Sequence, residues 1–202
     1  MAISTYAELQ TAIADFLNRS DLTSVIPTFI GLAEAQIARD IRHWEQEKRV
    51  TTTLDEQYEN LPNDWLQTIT LTLSDGTPLE LMSRDEMATR RLEGDDIAGK
   101  PCFYRHNAGQ IEVYPTPDED YTLHLQYYAR IPALSDTDTT NWLLTNYPDI
   151  YLYCSLSHAA VYLRDPERVA EFSAIYGSVA QQLMLESNRA TASGSSLRMR
   201  IK

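Results

Sequence analysis

Residues 150–165, IYLYCSLSHAAVYLRD, are apolar on nearly every side, so a helix here has no face to give to water and must be surrounded. It is the expected central helix of a core. The Asp165-Pro166 step ends it, because the residue before a proline is pushed out of the helical region. Partners come from both ends of the chain. In 6–18, Tyr6, Leu9, Ile13, Phe16 and Leu17 recur at spacings of three and four, with Ser4 or Thr5 as cap. In the stretch that follows, Asp21 or Thr23 starts a second helix with Pro27 in its first turn. Phe29, Ile30, Ala33, Ile37, Ile41 and Trp44 continue its apolar side to about residue 44. Its other face alternates Glu34, Arg39, Asp40, Arg42 and Glu45, as a solvated face or a subunit contact does. After Pro166 and Glu167, an apolar line runs through Val169, Phe172, Ile175, Tyr176, Val179 and Leu183.

Between these helices the period changes from 3.6 to two. TITLTL at 68–73 alternates as a half-buried strand does, and Asp75-Gly76 signals a hairpin turn. Ser83 and Gly94 bracket a short amphipathic helix at 83–94, followed by an acidic loop. Two short strands flank Asn107 to Gly109, and Tyr121, Leu123, Leu125 and Tyr127 share one face of a longer one. Pro115 and Pro117 belong outside the ladders.

The expected fold is α+β, mainly α. About four helices, from 1–50 and 141–188, bundle together; an antiparallel β module with one short helix is inserted at 51–140. Residues 189–202 form a flexible basic tail that orders on assembly, being too rich in Ser, Ala, Thr and Gly to fold alone.

Charge divides the chain the same way. The net formal charge is -12, yet Arg189, Arg198, Arg200 and Lys202 lie in a terminal stretch with no carboxylate, so the remaining body is more acidic than the total suggests. Such a body repels duplex DNA. No stretch approaches the length of an apolar membrane span, and the N-terminus has no signal-peptide pattern. The expectation is a protein that neither crosses a membrane nor leaves by a simple signal, leaving the Asn18-Arg19-Ser20 triplet chemically idle. Cys102 and Cys154 make no CxxC and no disulfide framework, in keeping with a reducing compartment.

Catalytic readings find little support. His43, His106, His124 and His158 show no metal-ligand spacing, and His158 reads as a hydrogen-bonded core residue. Cys154 and His158 share a helical face, but a buried helix denies access to substrate. DTDTTN at 136–141 lacks the glycine and final glutamate of a calcium loop and reads as a capping loop. Asp95-Asp96 and Asp118 to Asp120 read as turn carboxylates, and Gly94 and Gly99 flank acidic residues where a phosphate loop needs bare amides. The 12 tyrosines, Tyr127, Tyr128, Tyr147, Tyr151 and Tyr153 among them, suit a core edge or interface. A stacking platform for single strands needs a basic groove that an acidic body does not offer. The expectation is no enzyme, no metal and no cofactor.

YxELxxxIxxFLNRxDL at 6–22, IPTFIGLAEAQIARDIR, LPNDW at 61–65, GKPCFY with the run from IEVYPTPDEDYTLHLQYYARIPALS at 99–135, NWLLTNYPDIYLYCSLSHAA and DPERVAEF follow one another in an order that resembles the head-to-tail adaptor proteins of tailed bacteriophages, also called head completion or connector proteins. That resemblance implies a ring subunit, typically twelvefold, that docks beneath the portal protein after packaging and receives tail or nozzle proteins. It places the chain at the virion neck, assembled in the host cytoplasm, with genomic DNA as passing cargo. The bundle would build the ring wall, the β module face neighbours or the tail side, and the C-terminus lie on the portal. Expected portal contacts are Arg189, Leu197, Arg198, Met199, Arg200, Ile201 and Lys202; Glu34, Asp40 and Glu45 are expected to face the channel or a neighbouring subunit. Other readings are a sixfold tail-tube or tail-completion subunit, a bacterial regulatory or peptide-binding domain, and, disfavoured, a hydrolase.

Overall fold

The computed structural model describes residues 3–94 and 98–192. The chain forms two compact units, one from Met1–Trp44 and Ile131–Lys202, the other from Glu45–Arg130.

The first unit is helical. Helix α1 (Tyr6–Leu17) opens on a capping box: Thr5 Oγ1 accepts from the Glu8 N–H at 3.3 Å, and Glu8 Oε2 accepts from the Thr5 N–H at 3.0 Å. Asn18 closes it in the left-handed region, φ 50°. Tyr6, Leu9, Ile13 and Leu17 are buried, whereas Phe16, expected on the same stripe, is 53% exposed.

Helix α2 (Ile26–Asp40) is shorter at both ends than its apolar pattern suggests. Neither Asp21 nor Thr23 caps it: Thr23 bonds the Ser20 carbonyl, the helix starts after a turn through Leu22 to Val25, and Val25 gives no side-chain cap. Ile41 is already extended (ψ 131°), so Trp44 falls in a single 3-10 turn and is 45% exposed.

A short helix, α4 (Trp142–Asn146), occupies part of what the sequence presents as a loop. Asn141 caps it, accepting from the Leu144 N–H at 2.9 Å while donating to the Pro132 carbonyl and the Tyr151 hydroxyl, both at 2.8 Å. Helix α5 (Pro148–Tyr162) is the buried centre expected, packed by α1, α2, α4 and the helix that follows it. Helix α6 (Pro166–Ala192) begins at Asp165, whose carboxylate accepts from the Arg168 N–H, and continues past residue 188, so Arg189 is helical rather than part of a tail. The described helical unit thus has five helices instead of about four. Leu9, Ile13, Ile30, Ile37, Leu143 and Leu156 share its core; each such side chain contributes roughly 1.5–3 kcal/mol of burial.

The second unit packs two sheets around a separate core. Strands β1 (Glu47–Leu54), β7 (Tyr121–Ala129) and β3 (Trp65–Leu73) form an antiparallel sheet in the order β1-β7-β3. Strands β2 (Tyr58–Asn60), β6 (Gln110–Tyr114), β5 (Phe103–Asn107) and β4 (Glu80–Leu81) form the other in the order β2-β6-β5-β4. The β4–β5 pair is parallel, so the module is not wholly antiparallel. Strand β1 starts at Glu47, ahead of the expected change of period at Val50.

The alternation on β7 is borne out: Leu123, Leu125, Tyr127 and Ala129 are buried, Thr122 exposed. β5 and β6 make a hairpin whose loop residues Ala108 and Gly109 have φ 45° and 89°, the region that favours glycine. Helix α3 (Arg84–Glu93) is capped by Ser83 and closed by Gly94. There a Cβ would meet the Tyr114 hydroxyl at 2.5 Å, so the glycine is required by close approach.

Candidate assembly surfaces

The residues that sequence reading offers for catalysis form no catalytic pair among the described residues. Cys154 is fully buried and points its thiol at the Ala33 carbonyl, 3.8 Å away. Burial pushes that thiol up to about 12, far from a nucleophilic thiolate. His158, partly buried, shares its helix, and its Nε2 has no hydrogen-bond partner among the described residues; burial, then the nearby Arg39, disfavours its charged form.

His43 is buried against the Trp142 ring, His106 lies 5.0 Å from the Trp65 ring, and His124 Nδ1 pairs with Thr51 at 3.0 Å. The 136–141 loop is used internally: Thr139 accepts from the Tyr6 N–H, Asp138 donates its N–H to Ser135, and Asn141 caps α4. Asp118 accepts from the Tyr121 hydroxyl at 2.7 Å. Asp95 and Asp96 lie outside the described residues. Among the described residues no group of three or more His, Cys, Asp or Glu could hold a metal ion, and no helix is long and apolar enough to cross a membrane.

Of the tyrosines singled out in the sequence, Tyr127 and Tyr151 lie in the cores, whereas Tyr128, Tyr147 and Tyr153 are partly exposed. Tyr127 and Tyr151 are fully buried, with hydroxyls bonded to Asp64 and Asn141; Tyr176 donates to Asp40 at 3.0 Å.

The acidic residues expected at a channel or neighbour have distinct surroundings. Glu34 is half-buried and accepts from the Leu134 N–H at 2.7 Å, so it belongs to the packing of the helical unit rather than to a solvated face. Burial raises its pKa against the lowering by that bond. Asp40 is exposed and takes the Tyr176 bond; Glu45 is partly exposed in the 3-10 turn. Arg189 is exposed in the last turn of α6, while its neighbour Ser187 is buried and accepts from the Trp44 N–H at 3.0 Å. Leu197, Arg198, Met199, Arg200, Ile201 and Lys202 lie outside the described residues.

Two features escape sequence reading. On the helical unit, a cleft of about 540 Å³ opens at the α5–α6 elbow, lined by Val161, Arg164, Asp165, Pro166, Val169, Ala170 and Ser173. In the β unit, Glu112 is 3% exposed and gathers Arg105 Nε at 2.6 Å, Arg91 Nε at 3.0 Å and Gln57 Nε2 at 3.0 Å. Arg91 also donates to the Val113 carbonyl at 2.7 Å, which ties α3 to β6. A signal for it exists: the two-residue hairpin loop places Arg105 opposite Glu112, between Ile111 and Val113.

This mixed α/β chain, with a helical unit and an inserted β unit, is matched over residues 4–200 by the family described as SU10 adaptor protein. The chain belongs to the SU10 adaptor family. No curated protein matches it. The SU10 adaptors are phage head-to-tail adaptors, so this is a structural, non-catalytic protein of the virion. The resemblance seen in the ordered motifs and the expectation of no enzyme both stand on that membership.

Proposed function

We propose that this SU10 adaptor is the subunit of a connector ring that docks on the portal after packaging, extends the DNA channel and offers the surface to which the tail attaches. The observation that carries the reading is the extent of the family match. It runs to residue 200, so the basic terminal stretch with Arg198 and Arg200 belongs to the family's own chain plan. Arg189, exposed at the end of α6, leads into it. Those cations meet carboxylates on the portal, giving register and rate of encounter more than affinity. The acidic body keeps passing DNA from adhering. Helical packing around α5 supplies a unit stiff enough to repeat about an axis.

Mixing the protein with its cognate portal and imaging the product by electron microscopy tests this. A twelvefold ring seated on the portal is expected. Six copies, or a product attached to tail components alone, assigns the chain to tail completion instead.

A further inference from the structure

Helix α5 ends on a Schellman pair: the Arg164 N–H donates to the Val161 carbonyl and the Asp165 N–H to the Ala160 carbonyl, both at 3.1 Å. The residue between must be left-handed, which suits glycine, yet Arg164 fills the place at φ 56°. A side chain there costs about 1 kcal/mol, so its presence points to work done by the side chain itself. Arg164 is exposed on the wall of the α5–α6 cleft and makes no ion pair among the described residues, while Asp165 beside it is already paired with Arg168 at 3.4 Å. The apolar part of the wall is Val161, which is 60% exposed, with Pro166, Val169 and Ala170.

A matching projection stands on the same unit. Phe16 is exposed near the end of α1, and the adjoining Asp15 is an exposed carboxylate that makes no ion pair among the described residues. The cleft is lined from α5, α6 and the residues joining them, so the projection is a separate surface. Arg19, just past α1, is close enough to Tyr162, the last residue of α5, to interact with it electrostatically, which puts projection and cleft at one end of the unit. An apolar cavity of about 150 Å³ accepts a benzene ring. The cleft, about 540 Å³, therefore has room for a phenylalanine side chain.

We propose that Phe16 of one copy seats in the α5–α6 cleft of the next, with Asp15 meeting the partner subunit's Arg164. The ring of Phe16 is the anchor, and the ion pair sets the register. Two different surfaces make the contact heterologous, so it repeats from copy to copy and closes when its rotation permits. It deepens the connector-ring reading and rests on it.

Ring formation on the cognate portal, followed by electron microscopy over a protein concentration series, tests this. Phe16→Ser, Asp15→Arg and Arg164→Asp should each raise the concentration for half-assembly about tenfold. Their melting temperatures should stay close to the parent's, because all three side chains are exposed and aspartate tolerates the left-handed region. Asp15→Arg combined with Arg164→Asp should recover most of the loss, since the pair is restored in reverse. In a Cys102→Ser background, Phe16→Cys with Ala170→Cys should give a ladder of linked subunits when the assembled ring is treated with a short bis-maleimide. A parent chain that forms no ring on the portal overturns the ring reading and this contact with it. A parent ring that the substitutions leave undiminished, or that yields no ladder, keeps the ring reading and overturns the contact alone. So does a variant ring that forms normally and loses only its hold on portal or tail, which gives the cleft to another protein.

Discussion

Glu112 shows what a single inward-facing charge demands of its neighbours. Burial alone pushes its carboxyl up, but the bonds from Gln57, Arg105 and Arg91 and the Arg105 charge together hold it below the ordinary 4.5. A carboxylate held low stabilises the fold fully above about pH 4.5, and that contribution is lost as pH falls through the folded-state value. Urea denaturation should therefore show Glu112→Ala to cost about 3–5 kcal/mol at neutral pH, because two guanidinium groups lose their partner in a dry site. Glu112→Gln should lose stability at neutral pH and lose less than the parent on acidification; an unchanged acid limb would remove the charge from the account.

Cys154 makes the complementary point. Its four-residue spacing from His158 is legible, yet burial decides reactivity. Iodoacetamide on the native protein at pH 8 should label the exposed Cys102 and spare Cys154, as read by peptide mass spectrometry.

At the scale of elements, caps and turns were legible where they rest on local chemistry. Thr5 caps α1, Ser83 and Gly94 bracket α3, and the 107–109 hairpin turns where expected. Thr5→Ala should cost about 1 kcal/mol in thermal or urea melts, since it leaves the Glu8 N–H without its partner. Gly94→Ala should cost more than an ordinary surface change, because its Cβ meets both the Tyr114 hydroxyl and the Arg90 carbonyl; a Tyr114→Phe background should recover part of the loss.

Element ends were less legible. The apolar line of α2 continues through Ile41 to Trp44, but periodicity reports which side chains are apolar, not where the backbone leaves the helix. Helix α4 has only five residues, too few to show a period, and depends on Asn141, whose partners lie on Pro132 and Tyr151.

For the whole molecule, removal of residues 193–202 is the informative change. The described helical core ends before them, so the melting temperature should stay within about 2 °C of the parent, while docking on the portal should weaken strongly. Raising salt should slow docking of the intact chain and have little effect on the truncated one, if Arg198, Arg200 and Lys202 steer the encounter.

The sequence by itself determined that α5 is central, that helices from both ends flank a β-rich middle, and that the ordered motifs are those of phage adaptors. Periodicity and local capping are short-range, so they survive without knowledge of what packs against what. Only the tertiary structure decided that Glu34 is half-buried against Leu134, that Phe16 and Trp44 are left outside, and that Glu112 joins two arginines. Each of those depends on residues distant in the chain competing for the same space, and burial, not residue type, settles which of them face water.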